Sequence, residues 1–156
     1  MLQGRVIQKE ILVRAPVEAV WRAWTTSEGV ETFFAPEANI ELRAGGPYEL
    51  YFDLSQPEGL RGSEGCRVLG FIPYNALGFT WNNPPHLADI RNSYTTVLMF
   101  FEQKSDGVRV ALLHKDWPEG EAWDKAFAYF ERAWDIVLKR FVESLEKGPV
   151  DWKKHD

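Results

Sequence analysis

The chain has 156 residues, a formal net charge of −5 and a hydrophobic content of 45%. This length and apolar content exclude a disordered chain and predict a single domain over residues 1–156, with a core at about 6–148. The acidic balance and the lack of a basic run disfavour nucleic acid as a partner. The single cysteine, Cys66, excludes an internal disulfide and any metal site built from several thiolates.

The N-terminal residues "MLQGRVIQKEILVRAP" lack the apolar stretch of a signal peptide. No apolar run is long enough to cross a membrane, so we expect no membrane insertion and a cytoplasmic location. Aromatic residues make up 14% of the chain and include seven Trp. This is more than a small core usually needs, and it favours a lined cavity or a binding face.

The first predicted element is a strand, "RVIQKEILV" (Arg5 to Val13), rich in β-branched residues. The next stretch, "APVEAVWRAWTTSEGVETFF", has Val20, Trp21 and Trp24 at helical spacing behind Pro16. "TTSEG" interrupts this pattern, and Ser27 is suited to cap a second helix. We therefore expect two short helices after the first strand.

Strand patterns follow in succession. "NIELRAGGPYELYFDL" holds two runs around a Gly-Gly-Pro turn, and "GSEGCRVLGFIP" and "NALGFTWNN" are two more. "SYTTVLMFFEQKSDGVRVALLHKD" is the clearest hairpin, with Asp106-Gly107 predicted as a two-residue turn. That turn would place Phe101 opposite Leu112 and Met99 opposite His114. The apolar pattern leaves open whether both faces of the hairpin are covered.

The last predicted element is a long amphipathic helix from Glu121 to Lys147, ended by Gly148-Pro149. Asp116 or Glu119 could serve its N-terminal end. We expect the polar tail "VDWKKHD" to be frayed. One face of the helix carries a stripe of large apolar residues: Trp123, Phe127, Phe130, Trp134, Val137, Phe141 and Leu145.

This order of elements predicts an α+β fold with an antiparallel sheet. It resembles the helix-grip folds of the START/Bet v 1-like (SRPBCC) superfamily, in which a curved sheet of about seven strands wraps a long C-terminal helix. Three stretches are similar to the branch related to the C-terminal domain of the activator of heat-shock-protein-90 ATPase (AHSA-type): "APVEAVWRAWTTSEGVETFF", "DGVRVALLHKDWPEG" and "YFERAWDIVLKRFVESLEKGP". The chain departs from that branch in having Phe33-Phe34 where relatives often show a Trp.

The resemblance implies an apolar cavity between the helix and the sheet, which relatives use for lipids, sterols, polyketides or other aromatic molecules. We therefore expect this protein to bind a small hydrophobic or aromatic molecule. For any single aromatic residue, core packing is the simpler interpretation. The case for a cavity rests on the aromatic residues of the helix and the strands taken together. The expected ligand-binding residues are Phe34, Tyr48, Phe52, Trp81, Tyr94, Met99, His114, Trp123, Phe127, Phe130 and Trp134.

His114 has two interpretations: a hydrogen-bonded structural residue, or a polar anchor or proton carrier at the cavity. Asp116 follows at strand spacing, so a His–Asp pair is also open. The loop "WNNPPHLADIRNS" is either a plain connection or a lid over the cavity. We expect Cys66 to be an inert strand residue.

Two other functions stay open. One is an enzyme on the same cavity, a cyclase or hydrolase that uses His114 as acid or base. The other, implied by the resemblance, is a protein-interaction role that regulates a chaperone ATPase. The sequence holds no catalytic fingerprint, and it predicts no metal and no cofactor. It leaves a homodimer open.

Overall fold

The computed structural model describes residues 2–154. It contains nine strands and three α-helices among these residues. The strands are β1 (Leu2–Gln3), β2 (Ile7–Val13), β3 (Glu37–Ile40), β4 (Tyr48–Tyr51), β5 (Val68–Ile72), β6 (Ala76–Trp81), β7 (Thr95–Lys104), β8 (Gly107–Lys115) and β9 (Trp117–Pro118). The helices are α1 (Val17–Thr25), α2 (Ser27–Val30) and α3 (Glu121–Lys147), with 3-10 turns at Ala88–Ile90 and Trp152–Lys154.

The sheet is antiparallel throughout, which confirms the predicted fold class. Its main body has five strands in the order β2-β8-β7-β6-β5. The β3-β4 pair meets the start of β5 through an isolated bridge between Pro47 and Arg67, so seven strands surround the helix. A further short pair, β1-β9, lies at the end of β8. This is the helix-grip arrangement.

α3 has the predicted bounds, and its C-terminal end is at Gly148, whose φ is 93°. Only glycine adopts this backbone conformation without strain, which explains why the helix stops there. The N-terminal end differs from the prediction. Gly120 precedes the first turn, and no side chain caps it. Asp116 instead accepts a hydrogen bond from the Thr96 hydroxyl at 2.7 Å.

The β7-β8 hairpin has a different register from the predicted one. Phe101 pairs with Val110 and Met99 with Leu112, because the turn is Ser105-Asp106 and Gly107 already pairs with Lys104. A Cβ at position 107 would clash with the Val13 carbonyl oxygen, so glycine is needed at the start of β8 beside β2. The shift is two residues, so the buried and exposed faces are as predicted.

The hairpin is covered on one face. Val97, Met99, Val110 and Leu112 are buried in the core against the helices. On the other face Phe100 is 41% exposed. The alternation of buried and exposed residues along β7 and β8 is that of a sheet with one solvated side.

The predicted cap of α2 is also wrong. Thr26, not Ser27, caps α2: the Thr26 hydroxyl oxygen accepts a hydrogen bond from the Gly29 amide at 2.9 Å. The Ser27 hydroxyl accepts from the Ile40 amide at 2.9 Å and so ties α2 to β3.

The tail from Val150 to Lys154 packs back on the domain, contrary to the prediction that it is frayed. The Val150 amide donates to the Thr32 carbonyl at 2.9 Å, and the Trp152 indole donates to the Glu31 carbonyl at 2.7 Å. These bonds fold the tail back over the end of α2. His155 and Asp156 lie outside the described residues. Within 2–154, no helix is both long and apolar enough to cross a membrane.

Candidate functional site

Three aromatic rings meet where α3 crosses the sheet. Phe34 follows α2, Trp81 ends β6 and Trp134 lies in the middle of α3. The ring centroids of Phe34 and Trp81 are 5.8 Å apart, as are those of Phe34 and Trp134, and Trp81 lies 5.6 Å from Trp134. These offset and edge contacts are typical of aromatic packing, and they fix one wall of an adjoining space.

That space is an open cavity of about 270 Å³ between α3 and the sheet. Phe52 and Phe130 complete its aromatic wall beside the three rings. The outer flank of α3 contributes the rest of the lining: Tyr129, Ala133, Ile136, Val137 and Arg140. Arg140 is the one charged residue among these lining residues. The cavity is therefore an apolar slot with a cation on its wall.

Two further spaces adjoin the slot, and both have more polar lining residues than the slot has. One, of about 410 Å³, shares Phe52, Trp81 and Phe130 with it and extends to the loop after β6, including Asn82 and His86. The other, of about 780 Å³, shares Phe34, Phe52 and Arg140 and reaches Trp152. Phe52 borders all three spaces, and we refer to them together as the groove along α3.

The mouth of the groove is formed by rings left in solvent. Phe52 is 42% exposed and Tyr129 is 40% exposed. Phe52 still contacts Phe34, with centroids 5.8 Å apart, and His86 contacts Tyr129 at 5.8 Å. The two rings are therefore anchored on one side and uncovered on the other.

His114 is fully buried and hydrogen-bonded at both ring nitrogens. The Trp134 indole N–H donates to Nδ1 at 3.0 Å, and Nε2 lies 2.6 Å from the Thr95 hydroxyl oxygen. An indole can only donate, so Nδ1 carries no proton, and the neutral ring donates from Nε2. Thr95 then donates to the Trp81 carbonyl at 3.3 Å. This chain connects β8, β7 and β6 to α3.

Burial lowers the pKa of His114 from 6.5 to about 3. The ring is therefore neutral at physiological pH. The predicted His–Asp pair does not form. Asp116 has a φ of 69°, which breaks the strand alternation, and its carboxylate bonds Thr96 instead. The contacts of His114 are those of a structural histidine.

Other predicted ligand residues lie outside the cavity. Tyr48 is fully buried, stacks on Phe79 at 4.1 Å and donates its hydroxyl to the Trp24 carbonyl at 2.6 Å. Burial raises the pKa of the Tyr48 hydroxyl. Met99 is buried in the core. Tyr94 is partly exposed and lies against Gly65, where a Cβ would meet its hydroxyl.

Trp123 and Phe127, on the first turns of α3, pack around Trp117. Trp117 lies 5.2 Å from Phe127 and 6.3 Å from Trp123, centroid to centroid. The Arg5 guanidinium lies over the Phe127 ring at 4.5 Å. Of the predicted set, the structure thus gathers Phe34, Phe52, Trp81, Phe130 and Trp134 around the cavity. Trp123 and Phe127 pack instead on Trp117, which contacts the cavity ring Phe130 with centroids 6.2 Å apart.

The loop between β6 and β7 is tied down from within. The Asn83 side-chain N–H₂ donates to the Ile90 and Ser93 carbonyls at 2.8 and 2.9 Å, and Arg91 donates to the Asn83 carbonyl at 2.6 Å. Arg91 is buried and pairs with Glu64 at 3.2 Å. These bonds make the loop a fixed rim of the groove.

Glu64 holds this rim to the segment after β4. Burial opposes its ionisation, but the backbone amides of Arg61, Gly62 and Gly59 donate to its carboxylate and leave the pKa of Glu64 lowered. It is therefore a charged partner for Arg91 at neutral pH.

The outer flank of α3 lines the cavity, although it was not among the predicted ligand-binding residues. Tyr129, Ala133, Ile136 and Arg140 are spaced by four, three and four residues, which is a second helical row beside the predicted stripe. The helical spacing of this row is readable in the sequence, but a search for apolar stripes excludes the charged Arg140.

No metal centre forms among the described residues, where no group of three His, Cys, Asp or Glu side chains converges. Cys66 is buried, and burial raises the pKa of its thiol to about 12. A protonated, enclosed thiol is unreactive.

The fold is similar to several solved structures. Protein MLL2253 from Mesorhizobium loti matches with a TM-score of 0.74 at 17% identity, over 94% of this chain and all of that one (100%). The solution structure of the Aha1 dimer from Colwellia psychrerythraea matches with a TM-score of 0.69 at 20% identity, over 92% of this chain and 98% of that one. The AHSA1-like protein RHE_CH02687 from Rhizobium etli matches with a TM-score of 0.65 at 20% identity, over 93% and 84% of the two chains.

No protein with a curated description matches the chain. The family model described as "Activator of Hsp90 ATPase homolog 1-like protein" matches residues 14–146, which span α1 through nearly all of α3. This match covers most of the domain, and the fold agrees with it. The chain therefore belongs to the Activator of Hsp90 ATPase homolog 1-like family.

Proposed function

We propose that the protein binds a small, flat hydrophobic or aromatic molecule in the slot between α3 and the sheet. The observation that supports this most is the pair of uncovered rings at the mouth, Phe52 and Tyr129, 42% and 40% exposed beside an apolar cavity. A flat molecule in the slot would cover both rings and remove their apolar surface from water.

The test is a titration with 2-naphthamide, a neutral aromatic probe, followed by tryptophan emission. Trp81 and Trp134 line the slot, so occupancy should change their emission. Phe52→Ala should weaken binding about tenfold, because part of a Phe contact is worth about 1–2 kcal/mol. Calorimetry should give the same change in affinity.

The matched control is Phe100→Ala. Phe100 has nearly the same exposure, 41%, but lies on the solvated side of β7. Binding by this variant should equal that of the wild type. Equal losses in both variants, or no binding by the wild type, would overturn the proposal.

An acid–base enzyme is less well supported. His114, the expected acid or base, is buried, neutral and occupied at both ring nitrogens by Trp134 and Thr95. It is not among the residues that line the slot. A chaperone-regulating role rests on the description of the family and on the name of a structural neighbour at 20% identity, so we retain ligand binding, which the cavity supports, as the proposed function.

A further inference from the structure

The slot has a cation at one end. Arg140 lines both the apolar slot and the adjoining space that reaches Trp152. The other residues of the slot carry no charge, and most carry no polar side-chain atom. A guanidinium in this position would face any molecule that fills the slot.

Arg140 has no carboxylate partner among residues 2–154. Two acidic residues on α3 do have such partners: Asp124 pairs with Arg5 at 2.8 Å and Asp135 with Lys9 at 3.0 Å. None of the described ion pairs includes Arg140. Its charge is therefore available to a bound molecule.

Arg140 is nevertheless held in place. Its guanidinium carbon lies over the Trp152 ring, 5.7 Å from the centroid. Trp152 is in turn fixed by its bond to the Glu31 carbonyl at 2.7 Å. When a guanidinium stacks with its face on a ring, the N–H groups at its edge remain available as donors. Their spacing matches the two oxygens of a carboxylate.

We propose that the ligand is an aromatic carboxylate, with its ring in the slot and its carboxylate on Arg140. This rests on the proposed function and specifies the ligand class. Two other charged residues, Asp53 and Lys153, line the adjoining space with Arg140 but not the slot itself. Asp53 is already engaged by Ser55, with bonds of 3.1 Å from its amide and 2.5 Å from its hydroxyl. Arg140 is thus the charge that a ligand in the slot meets first.

The experiment compares three probes with one ring system: 2-naphthoate, neutral 2-naphthamide and cationic 2-naphthylmethylamine. Calorimetry on the wild type should show naphthoate binding about tenfold more tightly than naphthamide, since a charge-assisted bond at a solvent-facing site is worth about 1–2 kcal/mol. Raising the salt concentration should reduce this preference. The cation should bind most weakly.

Arg140→Gln should remove the preference for naphthoate over naphthamide, and Arg140→Lys should keep part of it. Arg132→Gln is the matched control, because it removes the same charge from an exposed position on α3 outside the slot. Its preference should be that of the wild type.

The outcomes separate the two proposals. If naphthamide and naphthoate bind equally, or the cation binds best, the carboxylate class is wrong and slot binding stands. If none of the probes binds, both proposals fail. If Arg140→Gln does not fold, the salt dependence and Arg140→Lys still decide: a salt-independent preference would overturn the role of Arg140.

Discussion

The Trp134 indole N–H donates to Nδ1 of His114 at 3.0 Å, and this bond joins the middle of α3 to the last long strand of the sheet. Both side chains are buried, and their rings pack edge to face with centroids 6.0 Å apart. The bond fixes the helix at the inner end of the slot. Burial lowers the pKa of His114, so the imidazole is neutral in the folded protein and Nδ1 can accept this bond.

We predict that this neutral histidine makes the fold sensitive to mild acid. The folded-state pKa of His114 is about 3, lowered from 6.5 by burial, so between these values the unfolded chain binds the extra proton. With respect to His114, the free energy of unfolding has its full value above pH 6.5. It declines as pH falls towards 3, by at most about 1.4 kcal/mol per pH unit. Urea unfolding at pH 7, 6 and 5 measures it.

His114→Gln should show a smaller loss of stability between pH 7 and 5 than the wild type. His86→Gln, at an exposed histidine, should behave as the wild type and serves as the control. NMR of the wild type provides an independent check if His114→Gln does not fold. A His114 imidazole signal that titrates near pH 6 would contradict the account.

We predict that the rim of the groove depends on the Arg91–Glu64 pair. Glu64→Gln leaves the buried Arg91 guanidinium without its countercharge. Breaking a buried pair lowers the free energy of unfolding by about 3–5 kcal/mol. We expect a loss of about 2 kcal/mol here, because the Glu64 side chain is 19% exposed. Chemical denaturation monitored by circular dichroism would measure this difference in the free energy of unfolding.

The control for this prediction is Glu102→Gln on β7. Glu102 pairs with Lys104 at 3.1 Å, with side chains 55% and 45% exposed. Solvent screens such a pair, so the change should be within about 0.5 kcal/mol. Similar losses in the two variants would show that the buried pair has no special role in the rim.

Much of the fold could be predicted because its elements carry strong local signals. α3 has continuous amphipathic spacing and a glycine stop, and its predicted bounds, Glu121–Lys147, are confirmed. The faces of the β7-β8 hairpin were also predictable, because alternation survives a two-residue shift. The turn itself was not, since Gly107 is required by the approach of Val13, a contact distant in sequence.

The cavity was harder to predict, because it depends on which rings the tertiary structure leaves uncovered. Trp123 and Trp134 belong to one stripe, yet Trp123 packs on Trp117 and Trp134 lines the slot. Phe52 and Tyr48 both come from the β4 region, yet Tyr48 is buried and Phe52 is open to solvent. Periodicity indicates the buried face of an element but not the gaps between elements.

The central claim is that an aromatic molecule occupies the slot beside Trp81 and Trp134. The most direct measurement is a ¹H–¹⁵N NMR titration of the tryptophan indole groups with 2-naphthamide and 2-naphthoate. We predict large shifts for Trp81 and Trp134, which line the slot, and little change for Trp21 and Trp117, which do not. Saturating shifts confined to Trp21 and Trp117, or no shift at any indole, would contradict the account.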